Sequence, residues 1–213
     1  MKNKRILLIA PLLLIVGVFL LLQPKIKTGQ EIKKQTDILT AIEDGQSSIE
    51  VKVKADNIET DYYDLDSESE QIDDTVQIIN NVDGIGILEI DRINLKLPIV
   101  EGATKATLRV ALGHVSETTP IGEIGNCIIA GHRKYDYGLM FNRLDEVEVG
   151  DIIKYTSVDG KALNYKVYAT TVIVPNDTSL FDFEDGQRKL TLLTCTPVRK
   201  ATHRLLVQAN LIE

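Results

Sequence analysis

The chain has 213 residues, 44% of them hydrophobic and 26% charged, with a net charge of −7. That is enough apolar material for one packed domain with extra segments, and it excludes wholesale disorder. Residues 1–24 carry three basic and no acidic side chains, residues 25–83 six basic and fifteen acidic, and residues 84–213 fifteen basic and sixteen acidic; with no basic stripe or aromatic-rich patch, nucleic acid is not an expected partner.

At the N-terminus Lys2, Lys4 and Arg5 precede seventeen uncharged residues, Ile6–Leu22. This run reaches the lower limit for a membrane-spanning helix and exceeds the usual core of a signal peptide. No small-x-small cleavage site follows at Gln23-Pro24-Lys25. Residues 1–24 are expected to form a cytoplasmic stub and an uncleaved transmembrane anchor, within which Pro11 is tolerable. Lys25, Lys27, Lys33 and Lys34 follow the span, so positive charge alone does not decide its orientation. Residues 25–83 lack a sustained apolar period, and Glu59–Asp74 is dense in Asp and Glu with no Lys or Arg. They read as a solvated acidic linker, with a weak amphipathic helix pattern at Glu31–Ile42.

From Gly84 the texture changes to short β-type runs. Ile85–Ile90, Leu95–Val100, Cys127–Ala130, Asp151–Ser157, Leu163–Val174, Leu190–Thr194 and His203–Leu211 are rich in Ile, Val, Leu, Tyr and Thr. Turn signals such as Asp83-Gly84, Gly125-Asn126, Gly150-Asp151 and Asp159-Gly160 separate them. Two short helices are expected at Lys105–Leu112 and Gly138–Leu144. Many strands with little helix predict an all-β domain over 84–213, a sandwich or a closed barrel.

Three strand margins carry chemistry. Cys127-Ile-Ile-Ala-Gly-His132 is a strand ending in Gly-His, Thr191-Leu-Leu-Thr-Cys195 is a strand ending in cysteine before Pro197, and Arg204 opens the last strand. A free thiol has a pKa near 8.5 and is only a few per cent thiolate at pH 7. A nearby imidazole can take its proton and later protonate a leaving amine. A guanidinium stays charged and offers fixed donors to an oxyanion.

These motifs resemble the sortase family. Thr191–Cys195 is similar to its TLxTC signature, Ala130-Gly-His132 to its histidine strand, and Arg204, nine residues after the cysteine, to its arginine. The run Ile87–Gly102 adds to the likeness, which covers residues 84–213. The resemblance implies an eight-stranded sortase barrel and catalytic His132, Cys195 and Arg204. It implies cleavage of a Leu-Pro-x-Thr-Gly-like C-terminal sorting signal on surface proteins or pilins, with no cofactor. The acyl group would pass to an amine, a peptidoglycan precursor or a pilin lysine, which requires an extracellular domain on a single-pass membrane anchor. The Cys195-Thr-Pro and Thr202-His-Arg segments are most similar to class C, the pilin-polymerising sortases. The Asp-Pro-aromatic lid motif and C-terminal hydrophobic segment usual there are not found in this sequence, which leaves classes A, D and E as alternatives. Pro175–Lys189 is too short for the long helix of class B.

Other residues receive plainer readings. Thr194 and Leu180 are expected to contact substrate, Thr194 also by supporting the cysteine. Cys127 reads as a small buried hydrophobe, His114 as a turn histidine bonded to backbone, and Arg133 as a surface residue. His203 should face away from Arg204 by strand alternation. Glu101, Glu117 and Glu123 could line a calcium site but read as solvated charge, and the His and Cys spacings make no zinc pattern. Two rival functions are a secreted cysteine protease that hydrolyses rather than transfers, and a non-enzymatic surface-binding module.

Overall fold

The structure is a computed structural model that describes residues 26, 28–55, 77–178 and 186–212. Among them lie one helix, α1 (28–43), and nine strands. The strands are β1 (Ser48–Ala55), β2 (Gln77–Ile90), β3 (Leu95–Glu101), β4 (Leu112–His114), β5 (Gly125–Ala130), β6 (Ile152–Ser157), β7 (Ala162–Ile173), β8 (Arg188–Thr196) and β9 (His203–Leu211). Their order is β1-β2-β3-β4-β5-β8-β9-β7-β6, and β6 pairs back onto β2. Strands β2 to β9 therefore form a closed barrel of eight, as expected, with β1 added beside the first half of β2. Closure leaves the barrel strands no free edge. The pairs β3–β4 and β5–β8 are parallel and the rest antiparallel.

Strand alternation divides the apolar residues between two faces. Leu88, Ile90, Leu97, Ile99, Cys127, Ile129, Leu190, Leu192, Leu205 and Val207 fill the interior together with Phe141, Leu144, Tyr155 and Tyr165. The outward-facing Ile128, Ala130, Leu193 and Leu206 belong to a second cluster with Leu108, Val115 and Ile173. Because both faces are covered here, β5 and β8 read as continuous apolar runs rather than clean alternation.

A third cluster corrects the expected linker. Ile38 and Ile42 of α1 and Ile49 and Val51 of β1 are buried against Val82, Ile87, Val100, Ala106, Val110 and Ala111. Residues 38–51 thus pack on the barrel wall instead of extending as spacer. Their apolar stripe is too sparse to announce itself, and only the complementary barrel face makes it a docking surface. At Gly84 a Cβ would lie 2.8 Å from the Ile42 side chain, so glycine is what allows α1 to sit this close. The charge-dense Glu59–Asp74 and the expected membrane anchor at 1–24 lie outside the described residues. Among the described residues no helix is long and apolar enough to cross a membrane.

The two short helices differ from expectation as well. Lys105–Leu112 contains a single 3-10 turn, Thr107–Arg109, pinned by reciprocal Thr104–Thr107 hydrogen bonds. Leu112 then starts β4, because its backbone pairs with β3, and β4 pairs in turn with β5. Gly138–Leu144 is a run of turns closed by the Arg133–Met140 bridge, with a 3-10 turn only at Leu144–Glu146. The Phe141 amide is committed to the His132 carbonyl at 3.1 Å and cannot serve a helix.

Candidate active site

The register pairs two of the three sequence-predicted residues and brings the strand leading to the third alongside them. Cys195 of β8 lies directly opposite Arg204 of β9, so their side chains stand on one face, Cβ to Cβ at about 5 Å. Leu193 and Leu206, each two residues away, belong to the outer cluster, which places Cys195 and Arg204 on the barrel's outer face. Strand β5 runs parallel to β8 and its last pair is Ala130 with Leu193. His132 and Cys195 each lie two residues beyond that pair, and His132 is exposed while Cys195 and Arg204 are almost buried. The buried apolar side chains of Ala130, Leu193, Leu206 and Ile173 form the floor next to this trio.

Polar contacts hold the histidine strand against the cysteine strand. The Gly131 amide donates to the Leu193 carbonyl at 3.0 Å, and the Thr194 hydroxyl donates to the Gly131 carbonyl at 2.8 Å. Thr194 is completely buried, so its expected place at the substrate surface gives way to a supporting one. It faces inward because alternation from Cys195 leaves it no other direction. On the outer face Thr191 donates to the Asn126 side chain at 2.8 Å, a second buried tie between the same strands. Gly131 admits no side chain, since a Cβ would lie 2.3 Å from the Phe141 ring. The guanidinium of Arg204 bends back toward its own turn, with Nη1 donating to the carbonyls of Ala201 at 3.1 Å and His203 at 3.2 Å.

Arg133 departs most from its sequence reading. Instead of lying on the surface it is buried beneath the site, with Nη1 3.0 Å from the Thr196 hydroxyl and 3.5 Å from the Cys195 carbonyl. Its Nη2 pairs with Asp145 at 2.8 Å. A basic residue after a polar strand end is ordinarily solvated, so no local signal in the sequence distinguishes this one.

The remaining candidates fall outside the trio. Cys127 is buried in the barrel interior, and burial, reinforced by the Glu101 carboxylate, pushes its thiol far above the ordinary range. That removes it from thiolate chemistry, as its reading as a hydrophobe requires. Both cysteines are free thiols. His114 ends β4, with Nδ1 2.9 Å from Glu101 and Nε2 3.2 Å from the Thr119 carbonyl. Glu101 also accepts from Ser116 at 2.6 Å, so this exposed carboxylate ties the loop together as well as meeting solvent. His203, at the start of β9, is exposed and bonded to Thr202, whereas Arg204 beside it is buried. Leu180 lies outside the described residues. Among the described residues no His, Cys, Asp and Glu side chains cluster in a way that could hold a metal ion.

A family model for the sortase domain matches residues 88–212, more than half of the chain, from the last three residues of β2 through β9. The chain belongs to the sortase family. It is 34% identical to sortase D of Bacillus subtilis over 112 residues, which are 53% of this chain and 54% of that protein. It is 26% identical to sortase A of Bacillus anthracis over all of this chain and 97% of that one. The crystal structure of sortase C-1 from Actinomyces oris superposes with a TM-score of 0.57 at 32% identity, covering 60% of this chain and 73% of the other. The chain thus spans about half the length of the Bacillus subtilis relative, and the three names divide among classes D, A and C. Sortases are cysteine transpeptidases of surface proteins.

Proposed function

We propose that this sortase cleaves a Leu-Pro-x-Thr-Gly-like sorting signal through a thioester on Cys195 and transfers the acyl group to an amine. The single observation that supports the reading most is the strand register, which sets Cys195 opposite Arg204 and brings the end of the strand that precedes His132 alongside the cysteine strand. The thiol of Cys195 loses its proton to His132 and attacks the scissile carbonyl. His132 then protonates the departing amine as the peptide bond breaks. Arg204 donates to the oxyanion formed on the carbonyl in each half of the reaction. In the second half the acceptor amine gives a proton to His132, attacks the thioester and frees the thiol.

Surface proteins or pilins are the acyl donors in this reading, and a peptidoglycan precursor or a pilin lysine supplies the amine. Leu180 contributes to the peptide groove, and residues 6–22 anchor the enzyme in the membrane with its barrel outside the cell. The test is mass spectrometry of the purified protein with a sorting-signal peptide and candidate amines. The expected result is a covalent adduct on Cys195 that converts to an amide when the amine is added. Release of acid alone, unaffected by any amine, would support the hydrolase instead, and no adduct at all would refute thiol catalysis.

A further inference from the structure

The β5–β8 ladder ends one step too early for the chemistry assigned to it. Its last pair is Ala130 with Leu193, while His132 and Cys195 sit two residues further on, where no backbone ladder sets their separation. The Gly131 and Thr194 hydrogen bonds carry the contact between the two strands to residue 131. Past that point Arg133 crosses the gap. Its backbone follows His132 directly, and its guanidinium reaches the Thr196 hydroxyl at 3.0 Å and the Cys195 carbonyl at 3.5 Å. The same group is tied to Asp145, in the Leu144–Glu146 turn, at 2.8 Å.

We propose that Arg133 is a positioning residue of the transpeptidase, a buried fork that fixes the end of the cysteine strand against the histidine loop. The proposal rests on the catalytic reading of Cys195 and His132 given above. Two observations argue that the fork is more than filling. Its side chain is only 4% exposed, yet its Asp145 partner is 55% exposed, so the pair is poorly compensated for a buried charge. Its Nε is buried and has no hydrogen-bond acceptor among the described residues. An apolar side chain of similar length would occupy the same space without these costs. What it would lack is two donors on one nitrogen plane, one aimed at the cysteine strand and one at Asp145. Lysine, a single charged point on a flexible stem, cannot serve both directions at once.

The experiment compares Arg133→Lys, Arg133→Met and Thr196→Ala with wild type in peptide-to-amine transfer, using the full chain. Active sites are titrated through covalent adduct formation, so that kcat refers to folded, reactive protein. A loosened His–Cys geometry should lower kcat by about 10²-fold in both Arg133 variants with KM little changed. Thr196→Ala breaks one arm and should lower kcat about tenfold, the size of a lost hydrogen bond to a charged group. Combined with Arg133→Met it should add nothing further. Wild-type kcat per titrated site in Arg133→Lys would overturn the fork, because charge alone would then suffice. If the Arg133 variants do not fold, Thr196→Ala decides by itself, and unchanged kcat there also overturns the proposal. Retained transfer in Cys195→Ala would instead remove the catalytic reading, a failure distinct from that of Arg133.

Discussion

Replacing Ile38 with alanine tests whether the segment before the barrel belongs to the folded unit. Ile38 is fully buried between α1 and the outward-facing Val100, Ile87, Ala106 and Val110. Truncating a fully buried isoleucine to alanine costs about 2–5 kcal/mol, depending on how far the site can collapse. A helix docked on an outer wall can settle toward the gap, so a loss of about 2–3 kcal/mol is expected here. Against a typical domain stability of about 5–15 kcal/mol this is easily measured. Urea unfolding of a protein beginning at residue 26 should show a lower midpoint with an unchanged slope, because α1 and the barrel unfold together. Gly84→Ala supplies a second arm, since the new methyl would meet the Ile42 side chain at 2.8 Å. That variant should be destabilised, and Ile42→Ala should relieve part of its cost, so the double variant falls short of additivity. An unchanged midpoint for Ile38→Ala, with strict additivity in the pair, would refute the docking. Starting the protein at residue 84 should for the same reason leave Ile87, Val100, Ala106, Val110 and Ala111 uncovered and promote aggregation.

Cys195→Ala should abolish transfer while leaving the fold intact, whereas Cys127→Ala should stay active and lose about 1 kcal/mol of stability; equal inactivation by both would defeat the assignment. Arg204→Lys should slow peptide turnover by about 10²–10³-fold, mainly in kcat, while alkylation of the thiol by a small reagent stays near normal because it builds no oxyanion. A parallel fall in both rates would show that Arg204 acts on the thiol instead. Burial works against ionisation of Glu101, but hydrogen bonds from Ser116 and His114 and the charge of His114 outweigh it and hold its carboxyl below the ordinary 4.5. Its stabilisation is therefore complete above that value and lost as the pH falls through the lowered one. Melting temperatures taken from about pH 7 to pH 3 should fall more steeply for wild type than for Glu101→Gln, and parallel curves would contradict the reasoning.

The proposed catalytic trio could be picked out in sequence because each member closes or opens a strand, and strand periodicity is a local property. Gly-His132, Cys195 before Pro197 and Arg204 could be placed on strand margins, and alternation separated Arg204 from His203, without knowledge of which strands pair. The barrel strands from Ile85 onward, β4 excepted, were legible for the same reason, their Val, Ile and Leu runs being bounded by turn residues. Tertiary structure alone decided the rest, since it depends on partners distant in the chain. Leu112–His114 is a strand only because β3 offers a parallel edge, and the weak stripe of α1 is buried only because Val100 and Ile87 face outward beneath it. Thr194 supports rather than contacts substrate because register turns it toward Gly131. Arg133 reads like any surface arginine until folding brings Thr196 and Asp145 to its two arms, 63 and 12 residues away along the chain.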